Sequence, residues 1–281
     1  MKYKVAVAQI NSGANITENV NKMNAMIREA AQNKADLIAF PETSEYLGTD
    51  FMGNAQDVPG KITEFFSQAA SEHQIYIHCG SVTRKTAERK PANTSLLFDR
   101  TGNIVGSYSK LHMFDVMLED GPSYRESDEI SAGHHITICD TKIGKIGMAI
   151  CYDMRFPEIF RLMAKQGAEV ICVPANFTTD TGKDHWEVLL RARAIENTCY
   201  IIAPGQIGQK PKFRAYGKSL VIDPWGNIIA KASDREQLIY ADIDLDYIRE
   251  IRAQVPSLYN IREDVYQLTS SHVKVFQEEK E

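Results

Sequence analysis

Short apolar runs alternate with amphipathic segments along most of the chain. Residues 15–33 place apolar side chains near helical spacing, and residues 61–73 form a second segment of this kind. Between them, residues 37–42 form an apolar run that ends in a proline and an acid, and its short length favours a buried strand. The alternation therefore predicts helices packed outside a buried sheet.

Hairpin signals interrupt this alternation. Residues 100–103 have the sequence Arg-Thr-Gly-Asn, which is typical of a turn between the predicted strands 94–99 and 104–110, and residues 223–227 form another turn between late strands. Hairpins and αβ crossovers together predict a two-layer β core with helices outside, rather than a purely parallel sheet. The remaining predicted strands are residues 4–10, 75–81, 136–140, 145–150, 169–173, 199–204, 219–222, 228–232 and 238–242, and the remaining predicted helices are residues 157–167 and 185–197.

The domain organisation is simple. The chain of 281 residues contains no Pro-, Gly- or Ser-rich linker and no shift in composition, so a single domain over residues 1–281 is expected. Residues 115–133 are rich in Gly, Pro and Ser and are predicted to be irregular. The last roughly 12 residues are polar and are predicted to form either a flexible tail or a contact with a partner subunit.

Composition and charge exclude several classes of protein. A hydrophobic fraction of 43% and a charged fraction of 25% are typical of a globular protein. The net charge of −5 is spread along the chain without a basic stripe, so no nucleic-acid partner is expected. No run approaches the roughly 20 apolar residues that cross a bilayer, so no membrane partner is expected. The start of the chain lacks the apolar run of a signal peptide, and a cytoplasmic location is expected.

The five cysteines differ in context. They include no CxxC motif and no Cys/His cluster at zinc spacing, so no metal is expected. Four of them fall in apolar, strand-like runs, whereas Cys151 ends the predicted strand 145–150 and leads into a helix that begins near Pro157. A side chain at such a turn points out of the sheet beside free backbone N–H groups, which suits a nucleophile and its oxyanion. The alternative is a buried, unreactive cysteine at a strand end.

Two charged residues end other predicted strands in the same way. Glu42 follows the apolar run that starts at Leu37, and partial burial would raise its pKa and make it a useful general base. Lys110 ends strand 104–110, where an ammonium group can stabilise an oxyanion and a thiolate. Each residue alone is better explained by a solvent-facing position. An acid, a lysine and a cysteine at three strand ends together predict a catalytic cluster.

Three segments closely resemble the catalytic segments of the nitrilase-like carbon–nitrogen hydrolases. They are Phe-Pro-Glu at 40–42, Tyr-Ser-Lys-Leu-His at 108–112 and Gly-Met-Ala-Ile-Cys-Tyr-Asp-Met-Arg-Phe-Pro-Glu at 147–158. The similarity continues through residues 185–197 and 223–226, so it spans the chain from Val5 to about Tyr266. The stretch from residue 151 to residue 158 resembles the branch that contains deaminated-glutathione amidases and ω-amidases. This resemblance implies an α/β fold, an α-β-β-α sandwich that pairs as a homodimer, with no metal and no organic cofactor.

The resemblance also implies catalytic roles. Cys151 would be the nucleophile, Glu42 the general base and Lys110 the residue that stabilises the oxyanion. The family uses a second glutamate after the lysine. Glu126 is the match for it, and Glu119 is the alternative because a loop of variable length intervenes.

Five residues are candidates for binding the substrate. The backbone N–H of Tyr152 would share the oxyanion with the lysine. Substrates of the branch carry a carboxylate near the amide, so Arg155 is a candidate for binding it, and an ion pair with a neighbouring acid is an equal alternative. Phe177, Thr178 and His185 fall where the family lines its pocket.

These residues predict a cysteine-dependent amidase that converts a small carboxylated amide into an acid and ammonia through a thioester. The predicted substrate is a 2-oxo acid ω-amide or deaminated glutathione. The predicted partners are this small-molecule amide and a second copy of the chain. An N-carbamoyl-amine hydrolase of the same superfamily and a non-catalytic binding protein on the same fold are the alternatives.

Overall fold

The computed structural model describes residues 1–117 and 123–279 and arranges them in layers of helices and sheets. The helices are α1 (Ile16–Gln32), α2 (Lys61–His73), α3 (Pro157–Lys165), α4 (Thr179–Asn197) and α5 (Leu245–Gln254). The earlier strands are β1 (Lys2–Gln9), β2 (Leu37–Ala39), β3 (Tyr76–His78), β4 (Val82–Arg84), β5 (Ala92–Phe98), β6 (Ile104–Ser109), β7 (Asp115–Met117), β8 (Ser123–Arg125) and β9 (Ile136–Thr141). The later strands are β10 (Gly144–Met148), β11 (Val170–Cys172), β12 (Tyr200–Ala203), β13 (Ile207–Gln209), β14 (Arg214–Tyr216), β15 (Leu220–Ile222), β16 (Ile228–Lys231), β17 (Gln237–Asp244) and β18 (Val273–Gln277).

The first sheet has seven strands, in the order β17-β1-β2-β3-β5-β4, with β6 paired to β5. Strands β1, β2 and β3 run parallel, and β17 and β5 flank them in the antiparallel direction. Successive side chains of a strand point to opposite faces of the sheet. Ile38 of β2 therefore packs with Met23 of α1 and Phe66 of α2 on the outer face. Its neighbours Leu37 and Ala39 face the other way, toward the second sheet.

The second sheet also has seven strands, in the order β16-β15-β12-β11-β10-β9-β18, with β10, β11 and β12 parallel. Ile146 of β10 and Ile171 of β11 share one buried cluster with Phe160 of α3 and Leu190 of α4. The same cluster reaches across to the inner face of the first sheet. The layers are thus helix, sheet, sheet and helix, which confirms the predicted α-β-β-α sandwich.

Several predicted elements have different bounds in the structure. Helix α2 spans the predicted residues, and α1 is one residue shorter than predicted at each end. Helix α4 begins at Thr179 rather than at residue 185, because its first turn packs Gly182 against the ring of Tyr216. This contact joins segments that are distant in sequence, so no periodicity reveals it. The elements that were not predicted are α5, β4, β7, β8, β13, β14 and β18.

The segment predicted to be irregular is partly ordered. Strands β7 and β8 form an antiparallel pair, in which Val116 lies opposite Tyr124. A short 3-10 helix, Glu126–Asp128, follows directly. The prediction was wrong for these residues because strands of three residues carry too little alternation to be recognised.

The C-terminal residues also form regular structure. Strand β18 pairs in parallel with β9 at the edge of the second sheet. The buried carboxylate of Glu278 accepts hydrogen bonds from the Tyr76 hydroxyl at 2.9 Å and from the Lys142 N–H at 2.8 Å. A flexible tail is therefore wrong for residues 273–278, whereas a contact with a partner subunit stays a prediction.

Two features of the described residues bear on possible partners. No helix within residues 1–117 and 123–279 is both long and apolar enough to cross a membrane. No group of three or more His, Cys, Asp or Glu side chains in these ranges is arranged to hold a metal ion.

Candidate active site

Three charged or nucleophilic side chains meet where three strands end. Glu42 follows β2, Lys110 follows β6 and Cys151 follows β10, so both sheets contribute. All three line one cavity of about 150 Å³. Among the described residues, those that line the cavity are Glu42, Thr43, Phe51, Thr83, Asn93, Lys110, Phe114, Tyr124, Arg125, Glu126, Glu129, Ile130, Cys151, Asn176, Phe177, Thr178, Thr181, Lys212 and Phe213.

A buried lysine joins two carboxylates at the base of the cavity. Lys110 is 2% exposed, and its Nζ donates to Glu42 Oε1 at 3.0 Å and to Glu126 Oε2 at 2.8 Å. Glu126 Oε2 also accepts from the Phe114 N–H at 2.6 Å, which fixes this carboxylate after the β7–β8 pair. The two carboxylates and one ammonium therefore form a compact network with a net charge of −1 when all are ionised.

Two asparagines fix the Glu42 carboxylate. Asn93 Nδ2 donates to Oε1 at 2.8 Å, and the backbone N–H of Asn176 donates to Oε2 at 2.7 Å. With Lys110, these donors leave the carboxylate little freedom to rotate. Its position is thus set by the strand that precedes it and by two other segments of the chain.

Burial and the neighbouring charges shift the pKa values of this network. Burial alone would lower the pKa of Lys110, but the carboxylates of Glu126 and Glu42 outweigh it and raise that pKa well above its usual value. Burial raises the pKa of Glu126, and the nearby Lys110 ammonium opposes this rise. The lysine therefore stays charged at neutral pH.

Cys151 sits on a strained turn between β10 and a 3-10 helix, Cys151–Arg155. Its φ is +47°, which is uncommon for a residue with a side chain, and its N–H donates to the Pro174 carbonyl at 2.9 Å. The buried carboxylate of Asp153 holds the turn, since it accepts from the Ile150 N–H at 2.8 Å and from the Tyr108 hydroxyl at 2.7 Å. The sharp turn directs the thiol into the cavity.

The Cys151 thiol is protonated at rest. Burial raises its pKa well above the usual value, the Glu42 carboxylate raises it further, and the Lys110 ammonium opposes both effects. Burial also raises the pKa of the thiols of Cys172 and Cys199 to about 12, but neither residue lines the cavity. What distinguishes Cys151 is the carboxylate beside it, which can accept its proton.

The predicted substrate-binding residues fall into two groups. Phe177 and Thr178 line the cavity, whereas Tyr152, Arg155 and His185 are absent from its described lining. The Arg155 guanidinium lies over the rings of Phe177 and Tyr152 at 5.5 and 5.6 Å, and its Nη1 is 3.3 Å from His185 Nδ1. It therefore stands behind the cavity wall, and it pairs with none of the carboxylates that the structure describes.

The second glutamate had two candidates in the sequence. The structure places Glu126 against Lys110, and Glu119 lies outside the described residues. Sequence reasoning missed several lining residues because they lie in unpredicted hairpins or inside a strand, where nothing in the local pattern marks them. The missed residues of most consequence are Asn93, Tyr124, Arg125, Lys212 and Phe213.

Comparison with known proteins identifies the family of this chain. The family model for carbon-nitrogen hydrolases matches residues 4–253, and the chain belongs to that family. A deaminated glutathione amidase from Synechocystis sp. is 40% identical over 91% of this chain and 97% of its own length. The omega-amidase NIT2 of Mus musculus is 35% identical over 95% of this chain and 98% of its own length.

Solved structures give the same family. The Saccharomyces cerevisiae Nit3 structure, a member of branch 10 of the nitrilase superfamily, matches with a TM-score of 0.85 and 31% identity over 93% of this chain and 96% of that chain. The Caenorhabditis elegans NitFhit structure matches with a TM-score of 0.88 and 35% identity over 95% of this chain and 66% of that chain. The fold and the sequence therefore agree on the class.

Proposed function

We propose that this chain is an amidase in which Cys151 attacks the carbonyl carbon of a small amide. The observation that carries the proposal is the meeting of a thiol, a carboxylate and a buried ammonium in one cavity. Acyl transfer needs a nucleophile, an acceptor for its proton and a positive group near the developing oxyanion. Cys151 supplies the nucleophile, Glu42 accepts its proton, and Lys110 supplies the positive group.

Acylation begins with proton transfer. Glu42 removes the proton from the Cys151 thiol while the sulfur bonds to the amide carbon, and the carbonyl oxygen becomes an oxyanion. Lys110 Nζ and the Tyr152 backbone N–H hold this oxyanion. The protonated Glu42 then gives its proton to the amide nitrogen, the C–N bond breaks, and ammonia leaves behind a thioester.

Deacylation uses the same groups in reverse. Glu42 removes a proton from water, the resulting hydroxide attacks the thioester carbonyl, and the C–S bond breaks with return of the proton to sulfur. The products are a carboxylic acid and the free thiol. Glu126 takes no proton in this scheme; its hydrogen bonds hold the Lys110 ammonium in position throughout.

The rim of the cavity suggests how a carboxylated substrate would bind. Arg125 and Lys212 are exposed cations in the lining, and each has a surface acid near it, at 3.6 Å from Asp128 and 3.4 Å from Glu129. These weak surface pairs leave both cations able to bind a substrate carboxylate. Arg125 and Lys212 therefore take the role of binding the substrate carboxylate, which the sequence suggested for Arg155. We propose a 2-oxo acid ω-amide or deaminated glutathione as the substrate.

Ammonia release tests the proposal directly. Purified protein is assayed with 2-oxoglutaramate, deaminated glutathione and an N-carbamoyl amine, and carbon dioxide is measured beside ammonia. We expect turnover of a carboxylated amide that falls at least about 10³-fold in Cys151→Ala, because no covalent intermediate can form. Cys199→Ala removes a thiol outside the cavity and should retain turnover. Carbon dioxide release would identify a carbamoyl hydrolase, and no product from any substrate would favour a binding protein.

We also propose a homodimer in the cytoplasm. Val188 and Ile195 lie two turns apart on α4 and are 66% and 48% exposed, and Trp225 is 51% exposed beside them in the β15–β16 turn that contacts Ile195. A second copy could cover this apolar surface. Light scattering should give a mass near twice 31.6 kDa for the protein and near 31.6 kDa for Val188→Glu. A monomeric wild-type protein would contradict the dimer.

A further inference from the structure

A second buried lysine lies outside the catalytic cluster. Lys210 is 3% exposed and occupies the turn of the β13–β14 hairpin. Its Nζ donates to Asn11 Oδ1 at 2.8 Å, to the Ser12 carbonyl at 3.0 Å and to Gln206 Oε1 at 3.0 Å. All three acceptors are uncharged, and together they use all the N–H groups of an ammonium.

These hydrogen bonds connect the hairpin to the backbone of the catalytic cluster. The same Gln206 amide that accepts from Lys210 donates to the Glu42 carbonyl at 3.1 Å and to the Ser12 hydroxyl at 2.9 Å. Gln206 is fully buried, so its contacts are not shared with solvent. One side-chain network therefore runs from the hairpin turn to the residue that carries the proposed general base.

The hairpin also forms part of the cavity. Lys212 and Phe213 of its turn line the cavity, and the ring of Phe213 packs edge-on against Tyr124 at 5.8 Å. Lys210 itself lines a side chamber of about 80 Å³ that shares Asn176 and Phe213 with the main cavity. A shift of the turn would therefore change the rim where the substrate carboxylate is proposed to bind.

We propose that Lys210 is a positioning residue that fixes the β13–β14 hairpin, and with it the substrate-binding rim, relative to the backbone at Glu42. It touches neither substrate nor reacting atoms. A neutral amine has two N–H groups and a lone pair, so it can no longer satisfy all three acceptors. The positioning thus depends on the hydrogen bonds of this side chain, whereas its burial opposes the charge.

The charge of Lys210 is sensitive to pH near neutrality. Burial lowers its pKa to about 7, against an opposing effect of Glu236 and with a further lowering by Lys22 of α1. Glu236 is bonded to Lys22 at 3.0 Å, and the neighbouring Lys212 and Glu129 pair with each other. None of these groups contacts the Lys210 ammonium in a salt bridge. Because the lowered pKa means that the closed hairpin favours the neutral amine, the hairpin should become better protected as the pH rises through about 7.

Hydrogen exchange of the intact protein tests this positioning without relying on the amidase proposal. After correction for intrinsic rates, amides of residues 207–216 should exchange at least about tenfold more slowly at pH 8.5 than at pH 6. Local opening sets their protection, and opening exposes a lysine that then regains its usual pKa. The β5–β6 hairpin should show no such change. Lys210→Met should exchange fast at both values, and Lys210→Arg, which stays charged, should lose the pH dependence. The proposal would be overturned if the hairpin of the wild-type protein were equally protected at pH 6 and pH 8.5 and if Lys210→Met showed that same protection.

A kinetic readout applies to the proposed function and therefore rests on it. Lys210→Met should raise KM about tenfold with a smaller change in kcat, as expected when one charge-assisted hydrogen bond positions the substrate rim. Lys61→Met, an exposed lysine at the start of α2, is the matched control and should match wild type. A protein that hydrolyses none of the amides would refute the amidase, and the exchange experiment would still decide the role of Lys210.

Discussion

At the scale of single residues, the acid–base state of Cys151 determines what chemistry the cavity can perform. Many reactive cysteines are thiolates at rest because a cation lowers their pKa. Here burial and Glu42 raise the pKa of the thiol, and Lys110 compensates for only part of this effect. In the proposed mechanism the sulfur becomes nucleophilic when Glu42 accepts its proton, which couples activation of the thiol to attack on the substrate.

Glu42→Gln should separate the reactivity of the thiol from catalysis. Removing the carboxylate removes one cause of the raised pKa and leaves Lys110, so the thiol pKa should fall and alkylation of Cys151 by iodoacetamide at pH 7 should become faster. Turnover should fall about 10²–10⁴-fold, because the proposed general base is lost. Alkylation followed by mass spectrometry across pH 6–9 measures the first effect. A fall in the alkylation rate together with turnover would contradict the assignment of Glu42 as the acceptor of the thiol proton. The exposed Glu64→Gln is the control.

Lys110→Met should affect both stability and rate. It leaves the carboxylates of Glu42 and Glu126 buried without their cation, so the free energy of unfolding should fall about 3–5 kcal/mol at neutral pH. The Lys110 ammonium would no longer oppose the rise that burial causes in the pKa of Glu126, so the variant should be more stable at pH 5 than at pH 8, with stability lost as the pH rises.

The rate effect of Lys110→Met is distinguishable from its stability effect. Turnover should fall about 10²–10³-fold through loss of the proposed oxyanion donor. Adding Glu126→Gln to this variant should restore part of the stability measured by urea unfolding, while turnover stays low. Recovery of turnover together with stability would show that Lys110 is structural.

At the scale of elements, the turn after β10 depends on one buried carboxylate. Asp153 is fully buried, and its Oδ1 accepts from the His112 N–H at 3.1 Å while Oδ2 accepts from Ile150 and Tyr108. These bonds join the segment after β6 to the turn that carries Cys151. The distance between the proposed lysine and nucleophile is thus set by the packing of two strand ends rather than by either strand alone.

Asp153→Asn should weaken this junction. The substitution replaces one carboxylate oxygen, which accepts a hydrogen bond, with an NH2 group that can only donate. One neighbouring N–H or O–H group then loses its acceptor, so the free energy of unfolding should fall by about 1–3 kcal/mol. The turn should also become less well ordered, and kcat should fall. Chemical denaturation and initial rates measure the two effects, with the exposed Asp184→Asn on α4 as control. Unchanged stability would show that the carboxylate does not hold the turn.

At the scale of the whole molecule, the two sheets are tied together at one edge of the second sheet as well as through the core. Strand β18 extends the second sheet, and Glu278 just beyond it accepts from Tyr76 of the first sheet. The chain's last described residues therefore close the sandwich near β3 and β9.

Glu278→Ala should loosen this closure. The Tyr76 hydroxyl and the Lys142 N–H would both lose their acceptor, which should lower the free energy of unfolding by about 1–3 kcal/mol. The neighbouring exposed Glu279→Ala should have no measurable effect. Thermal unfolding of both variants gives the comparison, and equal Tm values would show that the tail adds no stability.

The sequence by itself determined the layers and the strand ends. Apolar runs and helical spacing are local properties, so they predicted α1, α2 and the β5–β6 hairpin closely, and they placed Glu42, Lys110 and Cys151 at strand ends. The resemblance in segments around these residues predicted the family, which the comparisons confirm. Local pattern failed at strands of three residues, such as β7 and β13, because they are too short to show a period.

Only the tertiary structure decided which side chains surround the thiol and how their charges interact. Asn93 and Asn176 reach Glu42 across 51 and 134 residues of sequence, and Arg155 lies behind the cavity wall although it is four residues from Cys151. Burial and the distance between charges set a pKa, and both depend on the packing of segments remote in sequence. Residue order alone therefore predicted which groups meet in the cavity, whereas their protonation and their access to substrate follow from packing.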